Sequence, residues 1–315
     1  MKRLYLFFAV FVLASACSSR ISDEGTYSEI TGVGLSLDQF APEEKTKLSV
    51  DIDLSTSVRT VLWEDSDEVG IFPDRGGYQL GFSLEGQGGS TTAAFDGGGW
   101  GLLSNTAYSA YFPFNYDNRD LAKIPVDYTG QTQDGISDSS HLGPYTFSAS
   151  VPTSAVNGKV SFVFQQLGSL VWMKVTLPEP GNYKEFALAT DPGADLFTLK
   201  GTYSLEAGSG FVISPTYQSN AVMLFLDNVV TTSANQLVNA YMMVAPADLT
   251  GHSYKFYAFT SDNRVFVSDL SLKNHLFTKG QYKTITINDL TESTATADGL
   301  VVTASGEDVS TEEDW

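Results

Sequence analysis

Apolar and polar residues alternate with a period of two over several stretches of this chain. Leu48 to Leu54 read Leu-Ser-Val-Asp-Ile-Asp-Leu, and Lys283 to Asn288 repeat the alternation near the other end. This period is typical of β-strands that bury one face. Further runs that favour strands are Phe162 to Phe164, Val171 to Val175, Ala221 to Leu226 and Tyr254 to Phe259.

Turn signals separate these runs at short intervals. They are Asp74–Gly77, Gly86–Gly89, Asp96–Gly99, Asn157–Gly158, Pro178–Asn182 and Asp191–Gly193. Many short strands with frequent turns indicate sandwiches or barrels. Asn235 to Met243 is the single weak candidate for a helix. We therefore predict an all-β fold.

The chain is long enough for two domains, and its composition suggests where they meet. Gln131 to Ser140 is polar and rich in turn residues, and a new series of strands starts at Lys159. We predict a junction near Ser150–Gly158, between one β-sandwich at residues 27–155 and a second at 156–290. The tail, residues 291–315, is acidic and contains one strand-like piece, Leu300 to Ala304.

Residues 1–16 have the composition of an export signal. Lys2 and Arg3 precede an apolar run, and small residues lead directly into Cys17. The apolar run is shorter than the roughly 20 residues that span a bilayer. This end resembles a bacterial lipobox, in which the cysteine receives a diacylglyceryl group and becomes the mature N-terminus. We predict lipidation of Cys17, a lipidated tether at 17–26 and attachment to the outer membrane at the cell surface. An ordinary secretory signal followed by a chance cysteine is the alternative.

Charge and cysteine usage narrow the range of partners. The formal net charge is −19, which argues against nucleic acid or an anionic lipid surface as a partner. Cys17 is the single cysteine, so neither a disulfide within the chain nor a thiolate metal cluster can form. We expect no cofactor.

The sequence offers little for catalysis. Its histidines, His141, His252 and His275, lie in different segments without metal-ligand spacing, and surface positions are expected for the first two. Serine-hydrolase, zinc-protease and phosphate-loop motifs are absent. The loops Asp191–Asp195 and Asn115–Asp120 could place oxygens around calcium, but neither has the spacing of a calcium loop. We therefore expect no catalytic site and no metal site, and the protein is not expected to be an enzyme.

Several blocks resemble the fimbrillins, the subunits of type V pili in gram-negative gut and oral anaerobes. They are Val61–Phe72, with its tryptophan and acidic residues; Ala107–Phe114, Ala-Tyr-Ser-Ala-Tyr-Phe-Pro-Phe; Tyr128–Gly135 followed by His141–Gly143; Val160–Val175; and Leu276–Ile287, with Lys-Gly-Gln-Tyr at 279–282. The resemblance covers most of residues 40–290. It implies two tandem transthyretin-like β-sandwich domains in a lipoprotein precursor.

The resemblance also implies a mode of assembly. A trypsin-like protease would cut beyond the first strand, and a strand from another pilus subunit would then occupy the exposed groove. Val33–Phe40 is the candidate for the removable strand. The loop after it contains Lys45 and Lys47, our candidates for the cleavage site, with Arg59 as the alternative. All three could equally be ordinary surface cations.

The C-terminus departs from the fimbrillin pattern, because residues 306–315 are too acidic for an apolar groove. We therefore expect a tip or accessory subunit, or an anchor, at least as readily as a stalk subunit. The expected partners are other pilus subunits, the outer membrane through the lipid, and a host or bacterial surface ligand. The rival function is a glycan-binding surface lipoprotein that does not polymerise. Its sugar platform would be drawn from Trp100, Tyr111, Phe114 and Tyr116, although core packing could use most of them.

Overall fold

The computed structural model describes residues 24–26, 30–33, 48–53, 58–97, 102–103, 105–157, 159–271, 274–293 and 304–306. Cys17, Lys45, Lys47 and Trp100 lie outside these ranges, as does the whole export signal. The described part of the chain contains no helix long and apolar enough to span a bilayer.

The strands of the first half begin with the N-terminal segment. They are β1 (Glu24–Thr26), β2 (Ile30–Val33), β3 (Ser49–Asp53), β4 (Val58–Leu62), β5 (Glu68–Pro73), β6 (Leu80–Glu85), β7 (Thr92–Asp96), β8 (Ala107–Phe112), β9 (Ile124–Asp127), β10 (Thr132–Asp134), β11 (Ser148–Ser154) and β12 (Ser161–Gln166). A short 3-10 helix, η1 (Ser140–Tyr145), lies between β10 and β11.

The second half continues without a helix in its described residues. Its strands are β13 (Ser169–Leu177), β14 (Gly181–Thr190), β15 (Phe197–Tyr203), β16 (Ser214–Ser219), β17 (Ala221–Asp227), β18 (Val230–Thr231), β19 (Gln236–Val244), β20 (Ala247–Asp248), β21 (Tyr254–Thr260), β22 (Val265–Leu270), β23 (Leu276–Phe277), β24 (Gln281–Ile287), β25 (Thr291–Glu292) and β26 (Ala304–Gly306). The predicted all-β fold is confirmed.

The first half closes into a barrel with the strand order β11-β12-β2-β7-β6-β5-β8. Strands β8 and β11 pair antiparallel and complete the ring. Along β12, buried side chains alternate with exposed ones, as expected for a strand that lines a barrel. The indole of Trp63, which is fully buried, lies within this core.

The second half stacks two sheets face to face. One has the order β1-β24-β13-β19, and the other runs β10-β17-β14-β21-β22-β25. Met173 on β13 and Ile285 on β24 share a buried core with Phe186 on β14 and Phe256 on β21. Two sheets whose apolar faces meet in this way form a sandwich.

The weak helix candidate at Asn235–Met243 is wrong, because this segment is strand β19. It pairs antiparallel with β13 from Ser169 opposite Val244 to Leu177 opposite Gln236. Seven successive residues, 238–244, are buried. A strand covered on both faces loses its polar–apolar alternation and cannot be distinguished from a buried helix by periodicity.

The strands near the predicted junction pair either in the barrel or in the sandwich. Strand β12 pairs with β11 and β2 in the barrel, whereas β13 pairs in the sandwich. Leu167 and Gly168 connect the two strands. The domain limits given above stay predictions.

Candidate functional site

Strand β2 fills a slot in the barrel wall. It pairs antiparallel with β12, from Ser161 opposite Val33 to Phe164 opposite Ile30. On its other side it pairs parallel with β7, with Thr31 opposite Thr92. A single short segment from the N-terminal end of the chain therefore joins two strands that are distant in sequence.

Four aromatic rings form the floor of the barrel beneath this slot. The Trp63 ring meets Phe95 on β7 at 4.8 Å between centroids, and Phe112 and Phe164 at 5.5 Å each, all edge to face. Edge-to-face pairs at these distances are favourable. Because Phe95 and Phe164 belong to the two strands that flank the slot, Trp63 bridges them from inside. Its Nε1 finds no hydrogen-bond partner among the described residues.

The burial of β12 shows which register positions face the core. Phe162 and Phe164 are buried, whereas Ser161 and Val163 are exposed. Residues directly opposite each other on paired strands lie on the same face of a sheet. The backbone register sets Ile30 and Gly32 opposite the buried Phe164 and Phe162, and Thr31 and Val33 opposite the exposed Val163 and Ser161.

The same N-terminal segment also pairs with the second half. Strand β1 runs antiparallel along the outer edge of β24, with Glu24 opposite Lys283 and Thr26 opposite Gln281. We call residues 24–33 the N-terminal strap. Strand β1 pairs with the edge of the sandwich, and strand β2 fills the slot in the barrel. A single segment of the chain therefore pairs with both halves.

The candidates for the removable strand and its cleavage site are placed in part. Of Val33–Phe40, Val33 is described and is the last residue of β2, while residues 34–40 lie outside the described residues. Arg59 lies within β4, with its backbone paired opposite Ile52. Lys45, Lys47 and Cys17 lie outside the described residues.

Three of the aromatic residues named for a sugar platform are described, and they do not share one environment. Tyr111 is buried, and its phenol donates to the Gln79 amide oxygen and accepts from the backbone of Asn115. Burial raises the pKa of the Tyr111 phenol. Phe114 is half-buried against Gly81, while Tyr116 is exposed. Tyr111 is therefore a core residue, and its ring is not available to stack on a sugar.

Two of the histidines make hydrogen bonds, and the expected surface position of His141 is wrong. His141 lies in η1, half-buried, with its Nε2 2.9 Å from the carbonyl oxygen of Tyr241. His275 bonds the Tyr254 hydroxyl through Nδ1. His252 is half-buried as well. The polar residues around these histidines in the sequence gave no indication of these hydrogen bonds.

In the two loops considered as calcium sites, side-chain oxygens accept hydrogen bonds from the protein itself. The Asp191 carboxylate accepts hydrogen bonds from the Ser253 hydroxyl and backbone, which lower its pKa. Asn115 Oδ1 accepts from the Asp117 backbone at 2.8 Å. Among the described residues, no group of three or more His, Cys, Asp or Glu side chains could hold a metal ion.

Comparison with known proteins finds similar solved structures, two of which are described below. No protein-family model matches the sequence, and no curated protein matches it. A protein of Bacteroides ovatus, provisionally described as a cell adhesion protein, is 11% identical with a TM-score of 0.48, over 85% of this chain and 96% of its own. A Bacteroides uniformis protein with the same description is 15% identical with a TM-score of 0.45, over 81% of this chain and 98% of its own. At these values the likeness assigns no function to this chain.

Proposed function

We propose that the protein is a fimbrillin-type pilus subunit with a role in adhesion, exported as a lipoprotein and anchored through Cys17 at the outer membrane. Proteolysis removes its first strands, and a strand from another subunit takes their place. The acidic C-terminus favours a tip or accessory position. The observation that carries this proposal is the position of β2 between β12 and β7.

Removal of β2 would leave the barrel open at one place. The floor of Trp63, Phe95, Phe112 and Phe164 would lose its cover, and backbone groups of β12 and β7 would lose their partners. Each buried backbone group left without a partner costs about 1–3 kcal/mol. An incoming strand restores both the cover and the pairing, so occupancy of the slot is strongly favoured.

The strands near the three candidate cleavage sites indicate which site the protease could use. Cleavage after Arg59 would require the protease to bind a backbone that is paired in β4, and it would also remove β3. The residues at the start of β3 belong to the core, since Leu48 and Val50 are almost fully buried. A cut after Lys45 or Lys47 removes the strap and leaves β3 in place. Lys45 and Lys47 are therefore the better candidates.

The rival function, glycan binding without polymerisation, loses support at its proposed platform. Tyr111 is engaged in the core, and Phe114 is half-buried. Tyr116 keeps an exposed ring, over which the Arg119 guanidinium lies at 4.9 Å. Among the described residues of the proposed platform, Tyr116 alone is exposed, and a single exposed ring does not make a stacking surface for a sugar chain. We therefore favour the pilus subunit.

The test is limited trypsin digestion of the chain from residue 18 onward, followed by mass spectrometry and native sizing. We expect a cut after Lys45 or Lys47, after which the truncated protein binds a fluorescent peptide of residues 24–36. The double variant Lys45→Gln, Lys47→Gln is the matched control and should stay intact. A wild-type chain that resists cleavage between 34 and 57, or a cut chain that does not bind the peptide, would refute the proposal.

A further inference from the structure

The sheet that contains β17, β14, β21 and β22 has apolar side chains on the face opposite the sandwich core. Its inner face contributes Phe186, Leu224 and Phe256 to that core. Residues that alternate with these along the strands lie on the other side, which we call the outer face. There they form a separate hydrophobic cluster, composed of Ala187, Phe259 and Val265, with Met223 and Tyr257 packed against them. The second face of an antiparallel sheet is commonly polar, and an apolar patch there marks an interaction site.

Strand register places a carboxyl group within this cluster. Glu185 on β14 lies opposite Phe225 on β17 and opposite Phe259 on β21. Residues opposite each other on paired strands share a face of the sheet. Ala187 is two residues further along β14 and therefore lies on the same face as Glu185. An acidic side chain is thus set between two phenylalanines on an otherwise apolar surface.

The Glu185 carboxyl group is poorly satisfied by its own chain. Its Oε1 is buried and accepts no hydrogen bond from the described residues. Burial raises the pKa of the Glu185 carboxyl, although the charge of Lys184 acts in the opposite direction. The Nζ of Lys184 donates to the side-chain oxygen of Asn263 at 3.3 Å, and Lys255 pairs with Asp269 at 3.0 Å. A carboxylate oxygen that is buried without a partner costs free energy, and a cation from another molecule would remove that cost.

Phe225 presents an accessible ring next to this carboxyl group. It is 43% exposed, whereas its neighbours along β17, Leu224 and Leu226, are buried. Among cationic side chains, arginine fits such a pair best, because its planar guanidinium can stack on an aromatic ring and donate to a carboxylate. The formal net charge of −19 favours the approach of a basic segment.

We propose that the outer face binds a segment of a partner protein that presents an arginine between apolar residues. The guanidinium pairs with Glu185 and stacks on Phe225, and the flanking apolar side chains cover Met223 and Tyr257. The continuation of this chain beyond β25 does not supply the arginine, since residues 294–315 contain neither Lys nor Arg. The inference goes beyond strand exchange and does not depend on it, because β17, β14, β21 and β22 all belong to the sandwich.

The first experiment measures peptide binding by fluorescence polarisation, with the chain from residue 18 onward. The probe is a labelled peptide, Ser-Val-Ser-Arg-Ser-Val-Ser, which in an extended conformation places its arginine and both valines on one side. The control peptide has citrulline, a neutral side chain of similar shape, in place of arginine. We expect the arginine peptide to bind about tenfold more tightly or better, as for a close charge pair at an interface. Equal binding of the two peptides, or binding of neither, would overturn the proposal.

Variants of the protein locate the site. Glu185→Gln should remove the preference for arginine over citrulline, whereas Glu85→Gln, the same change at an exposed position of the barrel, should retain it. Phe225→Ser should weaken binding of the arginine peptide by about tenfold. Leu237→Ser, at a residue of β19 that is 48% exposed, is the control of similar exposure and should bind as the wild-type chain does. A preference that survives in both Glu185→Gln and Phe225→Ser would refute the assignment, and the citrulline comparison on the unchanged protein decides the matter if a variant does not fold.

Other occupants of the outer face would give different results. If a second copy of the chain covers it, native sizing will show a dimer that becomes a monomer in Phe225→Ser, which overturns the proposal. If the tail of the same chain covers it, neither peptide will bind. A monomeric chain that prefers the arginine peptide supports the proposal. None of these results affects binding of the peptide of residues 24–36 to the cleaved chain, so the proposed function is tested separately.

Discussion

The side-chain amide of Gln131 binds the backbone of Met243 twice. Its Nε2 donates to the Met243 carbonyl oxygen, and the Met243 N–H donates to its Oε1, both at 2.7 Å. Gln133 repeats this arrangement with the backbone of Tyr241 and Asn239. Strand β19 is the last strand of its sheet, so its outer edge carries backbone groups that need partners. Gln131 and Gln133 supply partners for part of this edge, and His141 and the Ile136 carbonyl oxygen supply others.

Replacing Gln131 by Ala should lower the free energy of unfolding by about 2–4 kcal/mol, because two buried backbone groups would each lose a partner. Urea unfolding followed by fluorescence measures this. Gln87→Ala, at an exposed position in a turn, is the matched control and should be neutral. Equal midpoints for the two variants would mean that the amide bonds add nothing to stability.

Gly143 allows η1 to lie against the start of β3. A Cβ at this position would come within 1.8 Å of the Leu48 carbonyl oxygen. Gly143→Ala should therefore force backbone to move and cost about 1–3 kcal/mol of stability. Gly181→Ala is the matched control, since its Cβ would meet Tyr183 at an ordinary 3.7 Å. Thermal unfolding should show a lower midpoint for the first variant alone.

His141 should make stability depend on pH. Burial lowers its pKa, while the Tyr241 carbonyl and the Asp138 carboxylate act in the opposite direction. Because the folded pKa is below that of the unfolded chain, the unfolded state binds the proton more readily. The stabilisation is complete above about pH 6.5, the unfolded value, and is lost as pH falls through the folded pKa.

Urea midpoints measured between pH 7.5 and 5 test this dependence. The variant His141→Gln retains a group that can donate to the Tyr241 carbonyl but does not titrate. It should show a flatter profile over this range than the wild-type chain. Parallel profiles would contradict the role of His141.

Cys17 determines the expected attachment to the membrane. Cys17→Ala should move the protein from the membrane fraction to the soluble fraction, because no lipid could then be attached. Fractionation of expressing cells with an antibody against the chain measures the shift, and Ser18→Ala is the control. Membrane retention of the Cys17→Ala protein would show that the lipoprotein interpretation is wrong.

The period-two pattern predicted strands well where one face is buried. Leu48–Leu54 and Lys283–Asn288 correspond to β3 and β24. It failed for β19, which is covered on both faces. Gln131 to Ser140, described from sequence as polar and turn-rich, does contain turns at residues 135–137. The sequence did not indicate that β10 forms there or that Gln131 and Gln133 are buried by bonds to a distant strand.

The candidate site was predictable only in outline. An N-terminal strand next to a basic loop was visible in the sequence, but its partners were not, since β12 and β7 are far away along the chain. The alternation places Lys283 on the same face of β24 as Ile285 and Ile287, but its contacts with the Asn274 carbonyl oxygen and the Phe277 ring could not be inferred from the sequence. Which groups surround such a residue depends on pairing between strands that are far apart in the sequence. Local periodicity carries no information about that pairing.

The direction of β2 in the barrel has a consequence for the shape of an assembly. It runs antiparallel to β12 and parallel to β7, so an occupant that keeps this direction can enter in one orientation. Each donor then leaves its own subunit at the same angle to the next. If subunits assemble through this slot as proposed, repetition of one such unlike contact without closure into a ring would produce a filament with two different ends. Growth would then have one direction, because only one end would present an unfilled slot.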